Sequence, residues 1–151
     1  MDRVWKPNVT VAAVVARGDR FLLVEEETSD GLRFNQPAGH LEAGESLIEA
    51  AAREALEETA HPFTPTALIG IYQWTRPDGE VTYLRFSFAG DAGQCIAGRA
   101  LDAGIVRAVW LTRDEIVACR ERHRSPLVLQ CVDDYLAGRR MPLALLRHYD
   151  G

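Results

Sequence analysis

Short runs of hydrophobic residues in the first third of the chain predict two strands. Residues 9–16 are rich in valine, which is typical of a strand buried on both faces. Gly18 and Asp19 favour a tight turn, and residues 21–25 then predict a returning strand. Residues 35–44 contain one proline and two glycines, so this segment is predicted to be a loop.

Apolar positions at helical spacing predict a helix over residues 47–59. Its apolar side chains fall within a half-turn arc on a helical wheel: Leu47, Ile48, Ala51, Ala52, Ala55 and Leu56. Ser46 followed by Glu49 is a capping-box pattern, in which each side chain satisfies a free backbone N–H of the first turn. Pro62 disfavours helical geometry at His61 and therefore ends the helix.

The second half of the chain predicts three more strands and two more helices. Two strands, 68–74 and 81–89, flank the turn sequence Arg-Pro-Asp-Gly, and a third strand covers residues 105–111. A second capping box at Thr112 opens a helix to about residue 122, and a third helix extends from Pro126 to Gly138. The order β-β-α-β-β-β-α-α predicts one α/β domain over residues 1–151, a sandwich around a mixed sheet.

Charge and composition limit the classes of partner. The formal net charge is -5, which disfavours a nucleic-acid-binding role because such proteins present basic surfaces. A small anionic substrate stays compatible, since a metal ion can supply local positive charge. The odd count of cysteines, Cys95, Cys119 and Cys131, indicates buried thiols in a reducing compartment. With no apolar signal segment and no stretch long enough to span a bilayer, we expect a cytoplasmic protein without membrane contact.

Three glutamates of the predicted helix share one face. Glu54 and Glu58 are four residues apart and Glu57 is three from Glu54, so their carboxylates repel one another. A hard divalent cation, Mg²⁺ or Mn²⁺, would turn this repulsion into binding energy, because such ions prefer oxygen ligands. A solvent-facing acidic helix surface is the alternative interpretation of these three residues taken alone.

The spacing around these glutamates carries a more specific signal. It follows the pattern G-x5-E-x7-R-E-x2-E-E through Gly39, Glu45, Arg53, Glu54, Glu57 and Glu58. This resembles the Nudix box, here residues 39–61, and the chain is similar to Nudix hydrolases. The resemblance implies the Nudix fold, an α/β/α sandwich with a loop-helix-loop motif, and hydrolysis of a nucleoside diphosphate linked to another moiety.

The resemblance also implies roles for the residues of the box. Glu54, Glu57 and Glu58 would be catalytic and bind metal, and Glu54 would orient or deprotonate the water. Arg53 and Glu45 would brace the motif, and Gly39 would permit its tight backbone.

Two departures from the family pattern need explanation. The glycine after the helix is Ala60 here, and we expect the chain to leave the helix without a left-handed residue, helped by Pro62. Many family members carry a further acid at the position of Gly104, which has no side chain. Three other acids could complete the metal set in its place, although we expect each to be a solvated loop carboxylate: Asp102, Glu80 and Asp91.

Segments beyond the box, from KPNVTVAAVV near the start to MPL near the end, resemble the bacterial NudJ-type phosphatases. This subfamily resemblance implies release of orthophosphate from nucleoside tri- and diphosphates, and action on the pyrophosphate of the thiamine precursor hydroxymethylpyrimidine. Alternative functions are an ADP-ribose or nucleotide-sugar pyrophosphatase and a non-catalytic nucleotide-binding module. We expect a small-molecule substrate and a monomer or homodimer.

Five further residues are candidates for substrate contact. Trp74 and its strand neighbour Tyr72 share a face and could stack on a base, with ordinary sheet packing as the alternative. Arg85 could bind phosphate through paired hydrogen bonds or form a cross-strand ion pair. Asn35 and Gln36 flank the box and are candidates for base recognition.

Overall fold

The computed structural model describes residues 3–151 and contains eight strands and three α-helices. The strands are β1 (Asn8–Val14), β2 (Ala16–Arg17), β3 (Arg20–Thr28), β4 (Gly31–Asn35), β5 (Ala38–His40), β6 (Phe63–Thr75), β7 (Thr82–Ala92) and β8 (Ile105–Thr112). The helices are α1 (Leu47–Thr59), α2 (Arg113–Ala118) and α3 (Leu127–Leu136). The α1 bounds and its capping box at Ser46 and Glu49 match the sequence prediction.

The strands form two sheets. The first has the order β5-β1-β7-β6, in which β1 and β7 are parallel and the other neighbours antiparallel. In the second sheet β3 pairs antiparallel with β2, β4 and β8. The mixed α/β fold is therefore confirmed, with the strands divided between two sheets.

Helices cover both faces of the first sheet, because successive β1 side chains point to opposite sides. Val11 and Ala13 pack with Ala51 and Ala55 of α1. The alternate residue, Val14, lies in a second cluster with Ile69 of β6 and with Val128, Cys131 and Val132 of α3. The chain is thus layered α/β/α, and α1 is fixed by its buried alanines while its polar side stays available.

Two strands, β4 and β5, were missed by the sequence analysis. Residues Ala38–His40 fall within the predicted loop 35–44, yet they pair with Thr10, Val11 and Ala12 of β1. Local glycine and proline signals favoured a loop, and the non-local pairing with β1 overrides them. The helix predicted from Thr112 to about residue 122 ends at Ala118 and continues as a separate 3₁₀ turn over Arg120–Arg122.

The end of α1 differs from the prediction. Ala60 adopts the left-handed conformation, with φ 60° and ψ 14°, and donates its N–H to the Leu56 carbonyl. The expectation that the chain would avoid this conformation was wrong. Ala60 is buried, and its own carbonyl accepts a hydrogen bond from Ile96 N at 2.9 Å. Tertiary contacts therefore hold an alanine where the local preference is for glycine.

The cysteines and the helix lengths bear on the expected cellular setting. All three cysteines are free, but only Cys131 is buried, whereas Cys95 is exposed and Cys119 half-buried. The prediction of three buried thiols therefore holds for one of them. In residues 3–151 we find no helix that combines the length and the apolar character needed to cross a membrane.

Candidate active site

Three carboxylates meet beside the polar side of α1. Glu54, Glu57 and Asp102 each offer one oxygen, and these oxygens all lie within 4.8 Å of one another. Glu54 is buried, Glu57 half-buried and Asp102 exposed. The donors are all hard oxygens with no sulfur or imidazole among them, so the group fits Mg²⁺ or Mn²⁺ better than zinc.

Asp102 is the member of this group that the sequence analysis placed in solvent. It lies in the loop before β8, and its backbone N–H donates to the Glu57 carbonyl at 3.0 Å. A second bond, from Ile105 N to the Asp102 carbonyl at 3.0 Å, closes a turn around it. The loop is thus tied to the last turn of α1, and the Asp102 carboxylate is exposed, as expected, but lies close to Glu54 and Glu57. The signal available was its position just before β8.

Arg53 ties the acidic residues to the preceding loop. Its guanidinium donates to both oxygens of Glu45, at 2.9 and 2.7 Å, to Glu54 at 2.9 Å and to Glu57 at 3.2 Å. The Glu45 carboxylate also accepts the Glu42 backbone N–H at 2.8 Å. The hydrogen bonds that Arg53 donates to Glu45 raise the pKa of Arg53 further, so it stays charged. One cation therefore fixes the loop and partly offsets the repulsion on α1.

Gly39 makes room for the Glu54 carboxylate. A Cβ atom on Gly39 would lie 2.2 Å from Glu54 Cδ, far inside van der Waals contact. Gly39 sits in β5 opposite Val11 and does not have a positive φ. A positive φ is therefore not what requires glycine here, and the close approach of the Glu54 side chain is.

Glu58, on the last turn of α1, contacts the edge strand β5. Its carboxylate accepts the backbone N–H of Ala38 in β5 at 3.0 Å, and only 8% of the residue is exposed. Burial raises the pKa of Glu58 to about 8, against the lowering effect of the Ala38 bond, and burial also raises the pKa of Glu54. A nearby divalent cation would counter both effects by favouring the charged carboxylates.

A cleft of about 680 Å³ opens next to these carboxylates. Glu54 and Glu58 lie in its wall, together with residues from β1, β4 and β7 and from the turn between β6 and β7. Its wall also contains Thr10, Asn35, Trp74, Tyr83 and Arg85. Acidic and basic side chains thus line one open volume, as binding of a metal-bound polyanion requires.

Two aromatic rings stack in the cleft wall. Trp74 of β6 and Tyr83 of β7 are cross-strand partners, with ring centroids 5.9 Å apart and planes 14° from parallel. Tyr72 instead donates its hydroxyl to Asp134 of α3 at 2.7 Å, so it packs away from the cleft. The proposed Tyr72–Trp74 pair is therefore wrong. Tyr83 was missed because identifying it needs the β6–β7 register.

Arg85 is a buried cation in the cleft wall. It is 5% exposed, and it donates to Asn35 Oδ1 at 2.7 Å and to Gln36 Oε1 at 3.0 Å. Gln36 is 1% exposed and donates to the Val128 carbonyl at 2.7 Å. Gln36 therefore lies behind Arg85, out of reach of a substrate, and its interpretation as a base-recognition residue was wrong. No carboxylate pairs with Arg85 within residues 3–151, so the predicted alternative of an ion pair is not formed there.

Comparison with known proteins agrees with this architecture. The NUDIX domain family matches residues 6–130. Phosphatase NudJ of Escherichia coli is 41% identical over 147 residues, covering 97% of this chain and 95% of that protein. The solved structure of a NUDIX hydrolase from Nitrosomonas europaea is 55% identical, with a TM-score of 0.93, and covers 97% of this chain and 99% of that one.

More distant structures share only the fold. A MutT NUDIX hydrolase from Burkholderia pseudomallei superposes with a TM-score of 0.73 at 14% identity, over 86% of this chain and 98% of that one. The family match over most of the chain, supported by these relatives, shows that this protein belongs to the Nudix family and is a hydrolase of pyrophosphate bonds.

Proposed function

We propose that the protein hydrolyses nucleoside tri- and diphosphates in a Mg²⁺-dependent reaction that releases orthophosphate. The observation that carries the proposal is the position of three carboxylate oxygens within 4.8 Å of one another beside a cleft that also holds a buried arginine. Opposite charges at the two ends of one cleft suit a phosphate chain bound partly through a metal.

In this proposal the acidic residues of α1 hold the metal and the water. Glu54, Glu57 and Glu58 carry catalysis, and Asp102 completes the oxygen set with Glu54 and Glu57. Bound Mg²⁺ would neutralise charge that develops on the phosphoryl oxygens. Glu54, whose carboxylate lies against Gly39 and accepts a hydrogen bond from Arg53, orients the attacking water.

The substrate end of the cleft supports a nucleotide. The stacked pair of Trp74 and Tyr83 presents aromatic surface on which a base can lie. Asn35 lines the cleft with its amide nitrogen, since its oxygen accepts from Arg85. The name of the 41% identical relative, Phosphatase NudJ, supports orthophosphate as a product. The pyrophosphate of hydroxymethylpyrimidine, a small ring with the same anhydride, is a further proposed substrate.

A substrate panel with product identification tests this function. The full chain is incubated with ATP, ADP, ADP-ribose, UDP-glucose and the pyrimidine pyrophosphate, each with Mg²⁺ and with EDTA. We expect orthophosphate from the first two and from the pyrimidine, and none with EDTA. AMP from ADP-ribose as the main product would favour the nucleotide-sugar pyrophosphatase alternative. Binding of nucleotide with no product from any compound would favour the non-catalytic module.

We further propose that the protein works in the cytoplasm on small molecules, as a monomer or homodimer that binds neither nucleic acid nor membrane. The net charge of -5 supports the first exclusion, because nucleic-acid contacts need a basic surface. Light scattering after size-exclusion chromatography measures the assembly state. A stable trimer or larger species would contradict this proposal.

A further inference from the structure

Thr10 is a buried hydroxyl that the proposed mechanism does not use. It lies in β1, is 8% exposed and contributes to the cleft wall. Within residues 3–151 the Thr10 hydroxyl makes no hydrogen bond. Every fully enclosed side-chain nitrogen or oxygen in those residues has a hydrogen-bond partner, so the unpartnered Thr10 oxygen is not fully enclosed. The Thr10 oxygen is therefore open to the cleft, with its donor and its acceptor capacity free.

Arg85 stands directly beside Thr10. The two residues are register partners on the parallel strands β1 and β7, so their side chains leave the same face of the sheet. Three of the five N–H donors of Arg85 are used, by Asn35, Gln36 and the Cys131 sulfur at 3.8 Å. The other two have no acceptor among the described residues. The charge and part of the donor capacity of Arg85 thus remain for a ligand.

Arg85 has no carboxylate partner within residues 3–151, in contrast to Arg76 and Arg124 of the same cleft. Arg76 pairs with Asp78 and Arg124 with Glu26, and both arginines are largely exposed. Arg85 is buried, and its acceptors are two amides and a thiol, all neutral. A buried guanidinium without a carboxylate is costly, and an incoming anion removes that cost.

The position of Thr10 and Arg85 in the first sheet indicates which part of a substrate they would contact. β5, whose Ala38 contacts Glu58, is separated from β7 only by β1, and Glu54, Glu58, Thr10 and Arg85 all line the same cleft. Thr10 lies between them, next to His40 on one side and Arg85 on the other. A diphosphate or triphosphate chain with one group at the metal would carry its next phosphoryl group toward Thr10 and Arg85.

We propose that Thr10 and Arg85 form a subsite for a second phosphoryl group of the substrate, and that Gln36 positions Arg85 for this contact. The inference rests on the proposed function, in which the carboxylates of α1 hold the metal-bound phosphoryl group. The subsite selects substrates that carry at least two linked phosphoryl groups, and it distinguishes them from monophosphates.

The test compares two probes on the full chain with Mg²⁺ by isothermal titration calorimetry. Methylenediphosphonate has two linked phosphoryl groups and a P–C–P bridge that water cannot cleave, whereas methylphosphonate has only one. Thr10→Val keeps the side-chain volume and removes the hydroxyl. We expect it to weaken methylenediphosphonate binding about 10-fold or more, as for loss of a hydrogen bond to a charged group, with little change for methylphosphonate.

Three further variants keep the test decisive. Thr10→Ser restores a hydroxyl and is expected to recover most of the affinity. Thr64→Val makes the same change at an exposed position of β6 outside the cleft, and it should bind both probes like the wild type. Arg85→Lys keeps the charge but loses the planar fork, and it is expected to weaken the diphosphonate selectively. Circular dichroism confirms that each variant is folded.

The outcomes separate this inference from the proposed function. Unchanged methylenediphosphonate affinity in Thr10→Val, or equal weakening of both probes, overturns the subsite, even if the wild type hydrolyses its substrates. Selective weakening supports the subsite, even if the wild type releases no orthophosphate in the substrate panel. In kinetics, the subsite predicts that Thr10→Val raises KM for a nucleoside triphosphate and retains kcat.

Discussion

Replacing Gly39 with alanine should displace the carboxylate of Glu54 while leaving the fold in place. The added Cβ would lie 2.2 Å from both Cδ and Oε1 of Glu54, whereas ordinary contact begins near 3.4 Å. The carboxylate must therefore move by at least about 1 Å. It is the end of a flexible side chain, so rotation about its own bonds is an easier escape than a shift of β5.

The displacement is large on the scale of a catalytic site. Glu54 lies within 4.8 Å of its carboxylate neighbours and 2.9 Å from Arg53, so a movement of this size breaks both arrangements. A misplacement of 1 Å costs on the order of 100-fold in rate, equivalent to about 2.7 kcal/mol of transition-state stabilisation. Stability should change by less than about 1 kcal/mol, because alanine also lowers the entropy of the unfolded chain.

Steady-state orthophosphate release at saturating Mg²⁺ measures the rate, and urea unfolding measures the free energy of unfolding. Gly93→Ala is the matched control, since its Cβ would meet the Pro62 side chain at an ordinary 3.4 Å. If Gly39→Ala turned over within about threefold of Gly93→Ala, the close approach of Gly39 to Glu54 would have no catalytic meaning. The role assigned to Glu54 would then be refuted.

Other predictions test the carboxylate Glu57, the stacked ring of Trp74 and the ion pairs of Glu25. Glu57→Gln should lower the rate of orthophosphate release roughly 100-fold or more, because it removes a negatively charged metal ligand. Its free energy of unfolding, measured in urea, should stay within about 0.5 kcal/mol of the wild type, because the change also removes some repulsion between carboxylates. Trp74→Ala should raise KM about 10-fold for ATP but not for inorganic pyrophosphate, which has no ring to stack. Glu25 is buried between Arg107 and Arg122, whose hydrogen bonds lower its pKa, that from Arg107 most. The charged Glu25 carboxylate stabilises the fold at pH values above its pKa in the unfolded chain, about 4.3. This stabilisation is lost as the pH falls through the lower pKa of Glu25 in the folded protein. Glu25→Gln should thus cost about 2 kcal/mol at pH 7, and this difference should shrink below pH 4 in urea unfolding.

The acidic helix could be predicted because its signals are local. The capping box, the apolar arc and the spacing of Glu54, Glu57 and Glu58 all lie within one segment, and α1 has the bounds that they predict. The same locality explains the failures. β5 depends on pairing with β1, and the contact of Asp102 with Glu57 joins residues that lie 45 positions apart. No periodicity within one segment reports such contacts.

The direction in which a side chain points was the second property that could not be predicted from the sequence. Gln36 and Asn35 are neighbours in sequence, but Asn35 lines the cleft, whereas Gln36 lies beneath Arg85. The face that each one occupies is set by the direction of β4 within the second sheet, which the sequence alone did not establish. The prediction for the backbone of Ala60 was wrong for a related reason. Burial and the hydrogen bond from Ile96 N hold Ala60 in a left-handed conformation that alanine itself disfavours.

The backbone bond from Asp102 to Glu57 makes the three-oxygen group depend on tertiary folding. An isolated α1 would present its glutamates, but the third oxygen arrives only when the segment before β8 has docked against the helix. A nascent or partly denatured chain should therefore capture divalent cations poorly. Loss of cation affinity during gradual denaturation would then mark detachment of this loop before the sheets themselves separate.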